Sequence, residues 1–137
     1  MSINLTSRMS NWISELGLHI ATATKNGFPT VIVANSSKVE GDLIIVSLKP
    51  NQIKQIENNI LENSYVAAAP GQLGAVRAPY QFKGFAKLKD SNLEIKVEEI
   101  YCTRPGAEAR MRLDTLGYEG MKEYDEIRWN DNPPSNT

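Results

Sequence analysis

The stretch LHIATATKNGFPTVIVANS, residues 18–36, narrows the choice of fold more than any other part of the chain. Asn26-Gly27 sits between two β-rich runs, and both residues of such a pair tolerate positive φ, so they favour the tight turn of an antiparallel hairpin. Strands are therefore expected near 18–24 and 29–37. KVEGDLIIVSL, residues 38–48, repeats the arrangement, with Gly41-Asp42 as the turn and Leu43–Leu48 as a largely buried strand. Three strands then run as a meander.

The remaining periodicities fill in a mainly β chain. In LTSRMSNWISEL, Leu5, Met9, Trp12, Ile13 and Leu16 recur at helical spacing, which predicts an amphipathic helix over 5–16 stopped by Gly17. Pro50 suits a first helical turn, where its missing N–H costs nothing, and Ile53, Ile56, Ile60 and Leu61 line one face of a helix over 50–62. SYVAAAP reads as a short strand ended by Pro70, GQLGAVRAP as a loop and YQFKGFAKL as a further strand, with KDSN as a hairpin turn. LEIKVEEIYC alternates until Glu98-Glu99 shifts the phase, as a bulged strand would. Six strands with one interrupting helix predict a small, closed or nearly closed β-barrel with flanking helices. A short helix is expected after Pro105. The acidic extension 114–137 carries Tyr118, Met121, Tyr124, Ile127 and Trp129, too many large apolar groups for a wholly solvated end. Part of it is expected to dock, either at a subunit interface or back on its own barrel.

At 137 residues the chain fits one domain, expected to comprise a barrel over 1–113 followed by that extension. A net charge of -1 gives no basic excess to attract nucleic acid or anionic lipid, so anionic ligands must be held locally. Cys102 is the single cysteine and cannot form an internal disulfide. No apolar run approaches the ~20 residues needed to span a bilayer, and MSINLTSRMS lacks a signal-peptide core, so a soluble, cytoplasmic protein is expected.

No catalytic constellation stands out. His19 is the lone histidine and reads as structural, no Cys/His cluster has metal-ligand spacing, and no HExxH, P-loop or GxGxxG is present. Glu98-Glu99 reads as a solvated strand edge. The strongest candidate is the strand-to-helix junction IIVSLKPNQIKQ. A helix start offers amide donors to an anion, Ser47, Asn51 and Gln55 add neutral donors, and Lys49 and Lys54 add charge. VANSS, residues 33–37, is a second polar cluster at a strand end.

The ordered set formed by AT, NGFP, the strand–lysine–helix junction, KG in the fifth strand and VEEIY followed by RPG resembles the pyridoxamine 5′-phosphate oxidase-related flavoproteins, over roughly residues 10–110. The resemblance implies a six-stranded FMN-binding split barrel that works as a homodimer, with flavin in clefts between subunits. By position, Val33, Ala34, Asn35 and Ser36 would run beside the isoalloxazine ring. Ser47, Leu48 and Lys49, with Asn51, Gln52, Ile53, Lys54 and Gln55, would wrap the ribityl phosphate, Lys54 being its main cation. Gln55 stands where relatives often carry a hydroxyl, and the arginine and histidine pattern of the oxidase substrate site is absent. The expected activity is therefore FMN-dependent electron or hydride transfer to a small acceptor other than the oxidase substrate. The alternatives are a non-catalytic flavin carrier or electron-transfer module, and a barrel that binds haem or a deazaflavin instead.

Overall fold

The computed structural model describes residues 3–71, 80–103 and 110–123, the side chains of Tyr118 and Glu123 excepted. Its strands are β1 (Leu18–Ala23), β2 (Pro29–Ala34), β3 (Ser36–Glu40), β4 (Leu43–Ser47), β5 (Tyr65–Pro70), β6 (Tyr80–Lys89) and β7 (Asn92–Cys102). Two longer helices, α1 (Ser7–Leu16) and α2 (Pro50–Glu62), flank them, and a 3-10 turn at Asp114–Leu116 leads into α3 (Gly117–Glu123). The helix expected after Pro105, the loop over 72–79 and the aromatics Tyr124 and Trp129 lie outside the described residues. Among the described residues no helix is long and apolar enough to cross a membrane.

All pairings are antiparallel, in the order β2-β1-β5-β6-β7-β4-β3. The sheet therefore has seven strands where the sequence predicts six. The strand expected over 29–37 bends at Asn35: the part before it pairs with β1 and the part after it with β4. A single residue thus separates the last member of one sheet edge from the first member of the other. That continuity requires the sheet to curl until its edges meet at this corner, giving a half-barrel rather than a flat sheet.

Inward-facing residues alternate with outward ones, as a sheet buried on one face demands. Leu18, Ile20, Ile44, Phe82, Leu93, Ile95 and Ile100 are fully buried, with Met9 and Ile13 of α1 closing one end. Thr6 caps α1 by accepting from Met9 N–H at 3.2 Å, and Gly17 ends it at φ 74, where a Cβ would lie 2.5 Å from the Ala34 carbonyl oxygen. α2 packs against β1, β2 and β6. Its buried Asn59 donates to Thr22 Oγ1 at 3.0 Å, which satisfies an amide that would otherwise be costly to bury. The extension begins by folding back on its own barrel: Leu113 and Met121 are buried, Leu113 N–H donates to Ile100 O, and Ile100 N–H donates to Asp114 Oδ1.

The phase shift read at Glu98-Glu99 is a bulge. Lys83 pairs with Glu99 and Gly84 with Val97, which leaves Glu98 unpaired. The bend brings the strands so close that a Cβ on Gly84 would lie 1.9 Å from the Lys96 carbonyl oxygen. Gly84→Ala is therefore expected to cost about 3 kcal/mol through forced backbone displacement. Urea unfolding of the two proteins measures this, and equal midpoints would show that the strand pair gives way freely.

Candidate functional site

The two polar clusters singled out in the sequence meet at the corner where the sheet edges join. Ser36, just past the bend, is the register partner of Ser47 at the end of β4. Leu48 follows, buried, with its N–H bound to Ser91 O, and Lys49 is the extended N-cap residue just before α2. Ala34 is buried, whereas Val33, Asn35, Ser36, Ser47 and Lys49 are exposed. The backbone thus carries residues 33–36, 47–49 and the start of α2 around one point.

The side chain that ties these pieces together is Gln52. Its Nε2 donates to Val33 O at 2.8 Å while its Oε1 accepts from Lys49 N–H at 3.0 Å. Charge-based reading of the sequence favoured the lysines. The signal for Gln52 was its place three residues after the helix entry, where a Gln side chain can reach back to the backbone. The clamp also uses up donors expected to be free: Lys49 N–H is taken, and the N–H groups of Gln52 and Ile53 both bind Lys49 O. Pro50 has none to offer. An anion at this helix start would therefore rely chiefly on side chains. Asn51, Lys54 and Gln55 lie at i, i+3 and i+4, so they share one face of α2, and all three are exposed, whereas Ile53 packs against the core.

Beside this corner, the outer face of β2 and its neighbours is apolar. Val31 and Val33 are 60% and 50% exposed, next to Phe28 at 70%, and the cross-strand partners on β1 and β5 are small: Ala21 lies between Val31 and Ala67. His19 is half-buried on the same face between Val33 and Ala69. Phe85, 53% exposed, continues the face through an edge-on contact with Tyr65 at 4.9 Å.

Glu99 is not a solvated strand edge. It accepts hydrogen bonds from the hydroxyls of Tyr65 and Tyr101, the latter at 2.6 Å, and lies 3.7 Å from the Arg112 guanidinium, which also pairs with Asp114 at 2.9 Å. The two phenolic donors, helped by Arg112, hold the Glu99 carboxyl below its ordinary value. Burial and the adjacent carboxylate push the Tyr65 hydroxyl up, and the hydrogen bond to Glu99 does the same for Tyr101. The sequence could not reveal this unit, since its members come from β5, β7 and the segment after residue 110.

No protein-family model matches the chain. It is 32% identical over 98 residues to an uncharacterised protein of Methanocaldococcus jannaschii, a match covering 71% of this chain; the chain spans 64% of that relative's length. Among solved structures it is similar to HupZ of Group A Streptococcus, with a TM-score of 0.61 and 21% identity over 77% of this chain and 98% of that one. A candidate pyridoxamine 5′-phosphate oxidase from Lactobacillus delbrueckii superposes with a TM-score of 0.60 and 17% identity, covering 72% of this chain and 94% of that one.

Two outcomes follow from this geometry. Gln52→Ala removes both arms of the clamp and should lower stability by roughly 1–2 kcal/mol in chemical denaturation; no change would show that the bridge is not held in solution. Because the Glu99 carboxyl is lowered when folded, its contribution is present above its ordinary value of 4.5 and is lost as pH falls through the lower folded value. Stability measured from pH 7 down to pH 3 should therefore fall less steeply in Glu99→Gln below about pH 4.5 than in the parent. Parallel curves would mean that the two phenols do not favour the ionised carboxylate.

Proposed function

Because the chain has the pyridoxamine 5′-phosphate oxidase-like split-barrel fold, we propose that it is an FMN-binding flavoprotein, an oxidoreductase working as a homodimer. The observation that carries this reading is that Val33–Ser36, Ser47–Lys49 and the start of α2 meet at one corner, through the Ser36–Ser47 pair and the Gln52–Val33 hydrogen bond. The donor set fits a flavin nucleotide. Two lysines and two amides suit a phosphate, and the exposed backbone at the bend, with the serine hydroxyls of Ser36 and Ser47, suits the polar edge of a ring system. Bound there, FMN would supply electron or hydride transfer at N5, and this chain's residues would bind it, orient it and limit its exposure to water. Lys49 and Lys54 would hold the phosphate, with Asn51 and Gln55 completing its hydrogen bonds. Ala34 and Leu48, both buried, would fix the backbone that carries these groups.

The apolar outer face supports the dimer. A half-barrel leaves a ring at this corner open on one side, and a second copy seated on Phe28, Val31, Val33 and Phe85 would cover those side chains and close the flavin cleft. Ala21, Ala67 and Ala69, small residues on β1 and β5, leave room for close approach over the middle of that face. No acid or base from the protein is needed for electron transfer, in keeping with a corner that presents amides, hydroxyls and amines.

Calorimetric titration with FMN and with riboflavin tests the reading. Lys54→Ala should weaken FMN by roughly 1.5–3 kcal/mol and leave riboflavin nearly unchanged, because the lost contact is a charge-assisted hydrogen bond to phosphate. Equal loss for both would remove Lys54 from the phosphate site, and failure of the parent protein to bind FMN would refute the function. Light scattering of the FMN-loaded protein should report a dimer. Saturable reduction of one acceptor would separate an enzyme from a carrier.

A further inference from the structure

We propose that His19 hydrogen-bonds the ring of the bound flavin and favours its reduced form, an inference that rests on the flavin reading of the corner. β1 enters the sheet hard against the bend: a Cβ on Gly17 would lie 2.5 Å from Ala34 O and 3.2 Å from Asn35 Cα. His19, two residues further on, is the cross-strand partner of Val33. Opposed side chains on one face have Cβ atoms about 4.5–5.5 Å apart, so an imidazole beside Val33 reaches a ring lying along Val33–Ser36.

The make-up of this face singles out the imidazole. β1 turns His19, Ala21 and Ala23 outward, β2 turns Pro29, Val31 and Val33, and β5 turns Tyr65, Ala67 and Ala69. Of these only His19 and Tyr65 carry hydrogen-bonding side chains, and the Tyr65 hydroxyl is given to Glu99. His19 is half-buried between Val33 and Ala69, and among the described residues it has no hydrogen bond or ion pair. The alkyl side chains on either side can supply neither.

A second copy seated on this face would bury the imidazole, and a polar group buried without a partner costs roughly 1–3 kcal/mol. A flavin ring beside Val33 supplies that partner. Its carbonyl oxygens and ring nitrogens accept hydrogen bonds, and imidazole carries at least one N–H in either protonation state. Those acceptors gain electron density on reduction, so a donor fixed by the sheet holds the reduced ring more tightly than the oxidised one.

His19 is the single histidine of the chain, so its imidazole NMR signals are identified without a variant. In the parent protein, FMN and riboflavin should each shift those signals saturably, with the same midpoint as the change in flavin absorbance. Anaerobic titrations then compare oxidised and reduced FMN in the parent, H19F and H19Q. H19F, apolar and of similar size, should weaken reduced FMN at least tenfold more than oxidised FMN, a fall of about 30 mV in the two-electron potential. H19Q keeps an N–H donor and should recover most of that difference. Unmoved imidazole signals in a parent that binds FMN, or equal effects of H19F on both oxidation states, would overturn the role of His19 while leaving the flavin site in place. Variants that change dimer affinity alone would overturn it too, by assigning the imidazole to the partner copy. A parent that binds no FMN would remove the flavin reading and the role of His19 with it.

Discussion

The two edges of the sheet are one residue apart in the chain, and the rest of the molecule is arranged around that fact. β2 and β3 lie at opposite ends of the strand order, yet only Asn35 separates them. A flat seven-stranded sheet would place its edges roughly 29 Å apart at about 4.8 Å per strand spacing, far beyond what one residue can bridge. The sheet must curl. Curling makes one face concave and buries the alternating Ile, Leu and Phe side chains there. It also brings the end of β4, and with it the start of α2, beside the bend. Core and candidate site have the same geometric origin.

Close approach of strands is the second consequence. Curling a sheet this tightly needs places where side chains are absent or registers slip, and β6–β7 has both, in Gly84 and the bulge at Glu98. The bulge places Glu99 opposite Lys83 and beside Tyr101, with Tyr65 reaching it from β5 and Arg112 from the returning chain. A carboxylate shared by two phenols and a guanidinium links β5, β7 and the segment leading to α3. Structure and charge distribution at that end are therefore set by one irregularity in the strand.

Much of this was legible in the sequence because the signals were local. Asn26-Gly27, Gly41-Asp42, Pro50 and the phase shift at Glu98 each act within a few residues, and the elements around them match their expected places to within a residue or two. The number of strands did not follow: Asn35-Ser36-Ser37 is a local turn signal and reads as the end of one strand, and only pairing with a second neighbour shows that the chain resumes as another strand just beyond Asn35. Site reasoning from charge pointed to Lys49 and Lys54, and the resemblance placed Gln52 beside a phosphate; its bond to a backbone carbonyl nineteen positions away in the chain was not legible. The Glu99 cluster was read as a strand edge for the same reason. Long-range partners have no spacing to betray them.

The central claim is that the corner formed by the bend and the start of α2 holds a flavin nucleotide. A crystal structure of the protein saturated with FMN tests it most directly. The account predicts the flavin ring alongside Val33–Ser36 and the phosphate within hydrogen-bond reach of Lys49 or Lys54 and of the Asn51 and Gln55 side chains. A flavin bound with its phosphate remote from α2, or a corner left empty while FMN occupies another surface, would contradict it.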